Sequence, residues 1–316
     1  MRETWPQLDY ASWKDTYETL HLWTQIVGKV RLSKEPWVNH SWFSTLYVTA
    51  RGLGTSAISD GDKNFSIEFD FISHRAIFKV SDGGDRDFAL QSEDVASFYQ
   101  RVMDMLADLG IETHFSPIPN EMEDGTPFFD DMRHKVYDRE QANAFWQALV
   151  PINNILKVFR SRFVGKCSPV HFFWGSFDLA VSRFSGRTAP PHPGGVPHLP
   201  NRVAREAYSH EVSSLGFWPG NAAYPQATFY SYAYPVPEGF SSARIEGPGA
   251  FFHTTLREFL LPYDAVRKSG NPAQAVLDFA QSTYEAAADL GHWDRHALED
   301  SPYRDECVSS GLLKRL

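Results

Sequence analysis

The side chains best suited to chemistry in this chain of 316 residues fall in two short runs of its second half. His171-Phe172-Phe173-Trp174-Gly175-Ser176-Phe177-Asp178 places an imidazole and a carboxylate among aromatic rings, and Ser209-His210-Glu211 places a second such pair side by side. A carboxylate that orients an imidazole makes an acid–base couple, so His171, Asp178, His210 and Glu211 are the candidate catalytic residues. The same groups on adjacent strands suit a divalent cation, opening a metal-assisted alternative. Neither run has H-x-x-x-H or C-x-x-C spacing, so no metal ligand is assigned and the cofactor stays unknown. A histidine in an aromatic strand also serves as a hydrogen-bonded structural residue. Arg183 and Arg187 offer planar forks to an acidic ligand group. Tyr230, Tyr232 and Tyr234 alternate along one strand and share a face, where they either line a groove or form a packing row.

Other templates fail. Gly83-Gly84 is a turn between strands and not a phosphate-cradling loop. Trp174-Gly175-Ser176-Phe177 lacks the second glycine of a nucleophile elbow. The two cysteines, Cys167 and Cys307, make no disulfide framework and have no redox partner nearby in sequence. Glu68 and Asp70 read as a solvated strand face. His21, Gln25 and Lys29 form a polar stripe along the first helix, solvated or packed at a junction.

The elements that position these groups follow from period and punctuation. A helix is expected from a capping box at Ser12, with Trp13, Tyr17, Leu20, Trp23, Ile26, Val27 and Val30 on one stripe. Trp42 to Arg51 reads as extended. Phe65, Ile67, Phe69 and Phe71 alternate with polar residues, and a tight turn at Ser73-His74 places Glu68 opposite Lys79 and Phe69 opposite Phe78. A helix capped by Ser92 ends at Gly110, and Glu112 to Phe115 reads as a closing strand. The order then repeats. An offset of 132 carries Leu20, Trp23, Ile26 and Val27 onto Ile152, Ile155, Val158 and Phe159, and Trp42 and Arg51 onto Trp174 and Arg183. An offset of 181 matches Ala107-Asp108-Leu109-Gly110 to Ala288-Asp289-Leu290-Gly291.

This layout predicts an α+β fold of two related helix–antiparallel sheet–helix units packed as a pseudo-twofold pair. The expected boundaries are a first unit over 1–117, an acidic linker over 118–137, a second unit over 138–296 and a C-terminal tail over 297–316. The second copy is longer, partly through the proline-rich stretch 185–202. A loop of that length is a packed lid, a surface excursion or a partner-binding polyproline segment.

Composition sets the outer limits. Apolar residues make up 42% and charged residues 22%, which excludes wholesale disorder. A net charge of −9 argues against a nucleic-acid partner. No apolar run is long enough for a membrane span, and Met1-Arg2-Glu3-Thr4-Trp5-Pro6 carries no signal core, so a cytoplasmic protein is expected. Aromatic residues reach 15%, which suits either a bulky core or a ring-binding cavity.

Several longer runs resemble one uncharacterised bacterial family, domain of unknown function five-nine-nine-six. They include Thr19-Leu20-His21-Leu22-Trp23-Thr24-Gln25-Ile26-Val27-Gly28-Lys29, Gly165 through Ala180, Phe184-Ser185-Gly186-Arg187 and Ser209-His210-Glu211-Val212-Ser213-Ser214. The resemblance spans nearly the whole chain and implies no activity, cofactor or catalytic residue. The resulting expectation is a small, partly apolar ligand in a cleft of the second unit, bound by Arg183, Arg187, Tyr230, Tyr232 and Tyr234, with acid–base or metal-assisted turnover by the four candidates above. The alternative is a non-catalytic interaction module using its aromatic surface or the proline-rich loop. Oligomeric state is not legible.

Overall fold

The computed structural model describes residues 5–299. Cys307 and the expected tail from residue 300 onward lie outside the described residues.

The first helix, α1 (Tyr10–Lys34), starts ahead of the expected box, with Asp9 at the cap position and Ser12 Oγ donating to its carbonyl at 2.8 Å. From Thr19 to Arg31 it is buried on every side. A surface helix buries one stripe, so this one is a central strut of the molecule. Trp23 stacks on Phe98 at 4.4 Å, and Phe98 in turn meets Phe69 of the first sheet.

That sheet holds β1 (Tyr47–Val48), β2 (Gly52–Gly54), β4 (Lys63–Asp70), β5 (Arg75–Val80) and β6 (Arg86–Ala89) in order, with β3 (Ile58–Asp60) paired to β4. All pairs are antiparallel. The expected hairpin register is corrected here. Glu68 pairs with Ile77 and Phe69 with Ala76, because the connection takes four residues and not two. Asp70 Oδ1 accepts the backbone N–H of Ile72 and Ser73, and His74 turns at φ 55°. A slip of two keeps every side chain on its expected face, so Phe65, Ile67 and Phe69 still reach the core.

Two further expectations fail locally. The start of Trp42–Arg51 is not extended: a 3-10 segment covers Asn39–Ser44 before β1. Glu112–Phe115 joins no strand, and Thr113 instead bonds Ser33 at 2.6 Å beside the end of α1. Helix α2 (Val95–Asp108) is capped by Asp94 rather than Ser92 and ends before Gly110 at φ 69°.

Helix α3 (Arg139–Ser161) opens on Asp138, which accepts from the N–H of Glu140 and Gln141, and continues through Pro151. The second sheet follows, with β7 (His171–Phe173), β8 (Asp178–Thr188), β9 (His210–Trp218), β10 (Thr228–Tyr234), β11 (Phe251–His253) and β12 (Glu258–Pro262) in the order β11-β12-β10-β9-β8-β7. Between β8 and β9 lie the irregular residues 189–200 and the short helix α4 (Asn201–Ala207). The proline-rich excursion is therefore shorter than its sequence suggests, because β8 runs on past a bulge. The chain closes with α5 (Tyr263–Arg267), α6 (Pro272–Leu290) and α7 (Arg295–Glu299).

The fold is α+β, with helices packed on two six-stranded antiparallel sheets. Leu46 and Phe172 exchange backbone hydrogen bonds of 2.9 and 2.8 Å and join the two sheets edge to edge. The positions that the offset of 132 relates fall on helices in α1 and α3, but they do not correspond in the strands. Trp42 lies in the 3-10 segment before β1, whereas Trp174 lies in the turn after β7. Among the described residues no helix is long and apolar enough to cross a membrane.

Candidate functional site

The second sheet has two unlike faces. Leu179, Phe217, Phe229 and Leu261 line up across four strands and, with Val181 and Leu215 of the neighbouring row, form a buried apolar patch on the face toward α3 and α6. On the opposite face Ala180 and Gly216 stand beside Tyr230, and Ser182 and Ser214 beside Tyr232. Small side chains on β8 and β9 leave that face hollow, with the two tyrosine rings stacked at 6.0 Å along one side. The result is a cavity of about 560 Å³.

Its roof is the proline-rich segment. His192, Val196 and Leu199 line it, α4 adds Val203 and Ala207, and Tyr208 follows at the helix cap. The tyrosine row holds this roof down: Tyr232 bonds the Tyr208 hydroxyl at 2.7 Å, Tyr234 donates to the Pro190 carbonyl at 3.0 Å, and His192 stacks on Tyr208 at 4.6 Å.

A third wall comes from outside the second unit. Asn120 is clamped to α1: Gln25 donates to its carbonyl at 2.9 Å and accepts from its N–H at 2.8 Å, while Lys29 reaches its side-chain oxygen. Asn120 also donates to the His198 carbonyl, and the Glu121 N–H to that of Pro197 at 2.9 Å. These contacts aim Glu121 into the cavity. His21 Nε2 donates to the Gly175 carbonyl at 2.9 Å and fixes the turn that carries Ser176 and Asp178. The polar stripe of α1 is thus buried, and it sets two walls of the site. Burial lowers the Lys29 ammonium to about 8 and the His21 imidazole to about 4.

Three carboxyls meet the cavity. Asp178 is 6% exposed, with Ser176 Oγ donating to one oxygen and the Tyr230 hydroxyl to the other. Those bonds favour the charged form, yet burial wins and raises the group to about 6. Glu121 is exposed at the cavity mouth, where the protein around its carboxyl and the Asp178 charge raise its pKa. Glu258, half-buried at the start of β12, is raised to about 7 by the same two causes. Burial holds His40 down at about 4 and lowers His192 as well, so both wall histidines are neutral at pH 7. A carboxyl that titrates near neutrality is suited to giving and taking a proton.

Backbone conformation marks the same place. Nine described non-glycine residues have positive φ. His40, Ser41 and Glu121 line the cavity, while Phe177 and Arg257 directly precede Asp178 and Glu258. Left-handed backbone costs energy for such residues and tends to collect at working sites.

Of the residues singled out from sequence, Asp178, Tyr230 and Tyr232 line the cavity, and Tyr234 secures its roof. The others lie elsewhere. His171 is 1% exposed beneath Trp42 and Tyr47, in a row that meets β9 at Gly216, six residues from His210 and about 20 Å along the strand. His210 bonds Ser209 at 3.1 Å. Glu211 pairs with Arg187 at 2.7 Å, and Arg187 also caps the end of α6 through the Gly291 and His292 carbonyls. Arg183 points to the helix side, 3.5 Å over the Phe159 ring and 4.4 Å over Tyr284. Sequence reasoning missed Glu121, Glu258, His40 and Tyr208. Two other concavities, of about 430 and 610 Å³, gather no comparable set of three carboxyls. Among the described residues no three metal-ligating side chains cluster closely enough to hold an ion.

The model of a family of unknown function (DUF5996) matches residues 5–300. No curated protein and no solved structure matches the chain.

Proposed function

The chain belongs to this family of unknown function, and we propose that the cavity beneath residues 189–200 binds a small, partly apolar ligand on which Asp178 acts as an acid–base group. Asp178 carries the reading. It is almost wholly buried, it lies in the wall of a cavity of ligand size, and its proton is exchangeable near neutral pH.

The neighbouring groups have separate parts. Tyr230, hydrogen-bonded to Asp178, relays a proton between the carboxyl and the ligand. Leu199, Val203 and the ring of Tyr208 take the apolar body. The reaction class is proton transfer at a polar group of the ligand held beside the buried Asp178 carboxyl.

A thermal-shift screen against a metabolite library tests this. A ligand at 100 times its Kd adds about 2.7 kcal/mol of stability. Asp178→Asn should keep much of that binding while turnover of any hit falls by about 100-fold or more. A library without hits, or a hit whose shift survives Ser214→Phe, which fills the cavity floor, would overturn the reading.

A further inference from the structure

The charges around the cavity are one-sided. Glu121, Asp178 and Glu258 all line it, and among the described residues no lysine or arginine does. Only Asp178 has its oxygens engaged, by Ser176 and Tyr230. The carboxyls of Glu121 and Glu258 accept no hydrogen bond and make no ion pair with any described residue. Glu121 is exposed and Glu258 half-buried, so both face the opening with charge that a cation entering the cavity would pair.

The position of Glu121 is built in. An added Cβ at Gly175 would lie 2.0 Å from Glu121 Oε1, so this carboxyl rests against bare backbone. The clamp of Gln25 on Asn120 then fixes the next residue at φ 62°. Aromatic rings make up much of the remaining wall, with Tyr208, Trp218, Tyr230 and Tyr232 among the lining residues. Ring faces attract positive charge, an attraction that grows with desolvation.

We propose that the ligand of this cavity is an organic cation, a protonated amine or quaternary ammonium group carried on an apolar body. This rests on the ligand-binding reading above and adds the charge class. A carboxylate or phosphate ligand would meet three like charges without an arginine or lysine to offset them. A neutral ligand would leave Glu121 and Glu258 unpaired. The space suits an organic ion better than a bare metal, since it is about 560 Å³ and no group of three metal-ligating side chains is close enough among the described residues.

The experiment is a fragment screen in charge-matched triplets. Each set places an amine, an alcohol and a carboxylate on one body, for example phenethylamine, 2-phenylethanol and 3-phenylpropionate, with Mg²⁺, Ca²⁺ and Zn²⁺ run alongside. Ligand-observed NMR and thermal shift are the readouts. Amine members should bind, and Glu121→Gln and Glu258→Gln should each weaken them by about tenfold. Titration calorimetry at pH 6.5 in buffers of different ionisation enthalpy should show proton release, because the bound cation draws these carboxyls to their charged form. That readout needs only the unaltered protein, so it stands if either variant fails to fold. Alcohols or carboxylates binding as tightly as the amines, or divalent ions binding in their place, would overturn the charge class and leave a ligand cavity intact. No binding by any member would remove both readings.

Discussion

Gly216 stands directly opposite Tyr230 in the β9–β10 ladder, and a Cβ added there would come within 2.4 Å of the tyrosine's Cζ and Oη. A glycine inside a strand weakens it, and one reason to keep it is close approach of another group. Here the approach lets the ring lie flat across the strand and deliver its hydroxyl to Asp178. Gly216→Ala must push the ring off, and because the ring is rigid and packed the cost should be about 1–3 kcal/mol in urea denaturation. Unchanged stability would mean that Tyr230 is free to move.

Gly175→Ala should behave differently. The atom in its way is the end of the flexible Glu121 side chain, which can swing aside. Stability should fall by less than about 1 kcal/mol, while binding of any cavity ligand weakens as if Glu121 had been altered. Equal losses in stability and binding would assign Gly175 to the scaffold alone.

Asp178 makes stability depend on pH with a definite sign. Its folded-state value, about 6, lies above the ordinary 3.8, so between those values the folded protein holds the proton more tightly than the unfolded chain does. Stability from this group is full below pH 4 and is lost as pH rises to about 6, a change on the order of 3 kcal/mol. Asp178→Asn removes that loss. The variant should therefore gain on the parent by about this amount between pH 4 and 7, read from urea midpoints at each pH. A difference independent of pH would mean that the carboxyl is not desolvated.

The buried His21 works in the opposite direction. Its folded-state value, about 4, lies below the ordinary 6.5, so its contribution is present above pH 6.5 and is lost as pH falls toward 4. In the parent protein these two contributions oppose each other between pH 4 and 6. His21→Gln keeps a donor for the Gly175 carbonyl and cannot titrate. It should lose about 3 kcal/mol less than the parent on acidification from pH 7 to 4, by the same midpoint measurement. Matching acid sensitivities would place the His21 ring in contact with water.

Part of this arrangement was legible in the residues themselves. The alternation of Tyr230, Tyr232 and Tyr234 predicted a shared face, and the proline-rich stretch marked where chain would leave the sheet. Asp178 stood out because it ends an aromatic run. Glu121 did not, since it sits in an acidic stretch that reads as a solvated linker, and only the Gln25–Asn120 clamp turns it inward. That clamp joins residues 95 positions apart, and nothing in local sequence encodes it. The hairpin register slipped for a smaller reason: Asp70 captures two backbone N–H groups and lengthens the turn. His171, His210 and Glu211 have the right chemistry, but strand register spreads them along the sheet.

Arg183 gives the sharpest contrast between chemical type and place. Its guanidinium is 1% exposed, donates to the Phe159 carbonyl and lies over the rings of Phe159 and Tyr284, on the sheet face away from Asp178. A buried arginine in that setting ties α3 and α6 to β8. Arg183→Ala removes both the stacking and the volume, and it should cost about 3–5 kcal/mol. Arg183→Met refills most of the space with an apolar chain, so its loss should be smaller, since apolar replacement of a buried ion is often well tolerated. Neither change reaches the cavity, and an amine that binds the parent should bind Arg183→Met with the same Kd. A Met variant that folds with parental stability yet no longer binds would put Arg183 back among the ligand contacts.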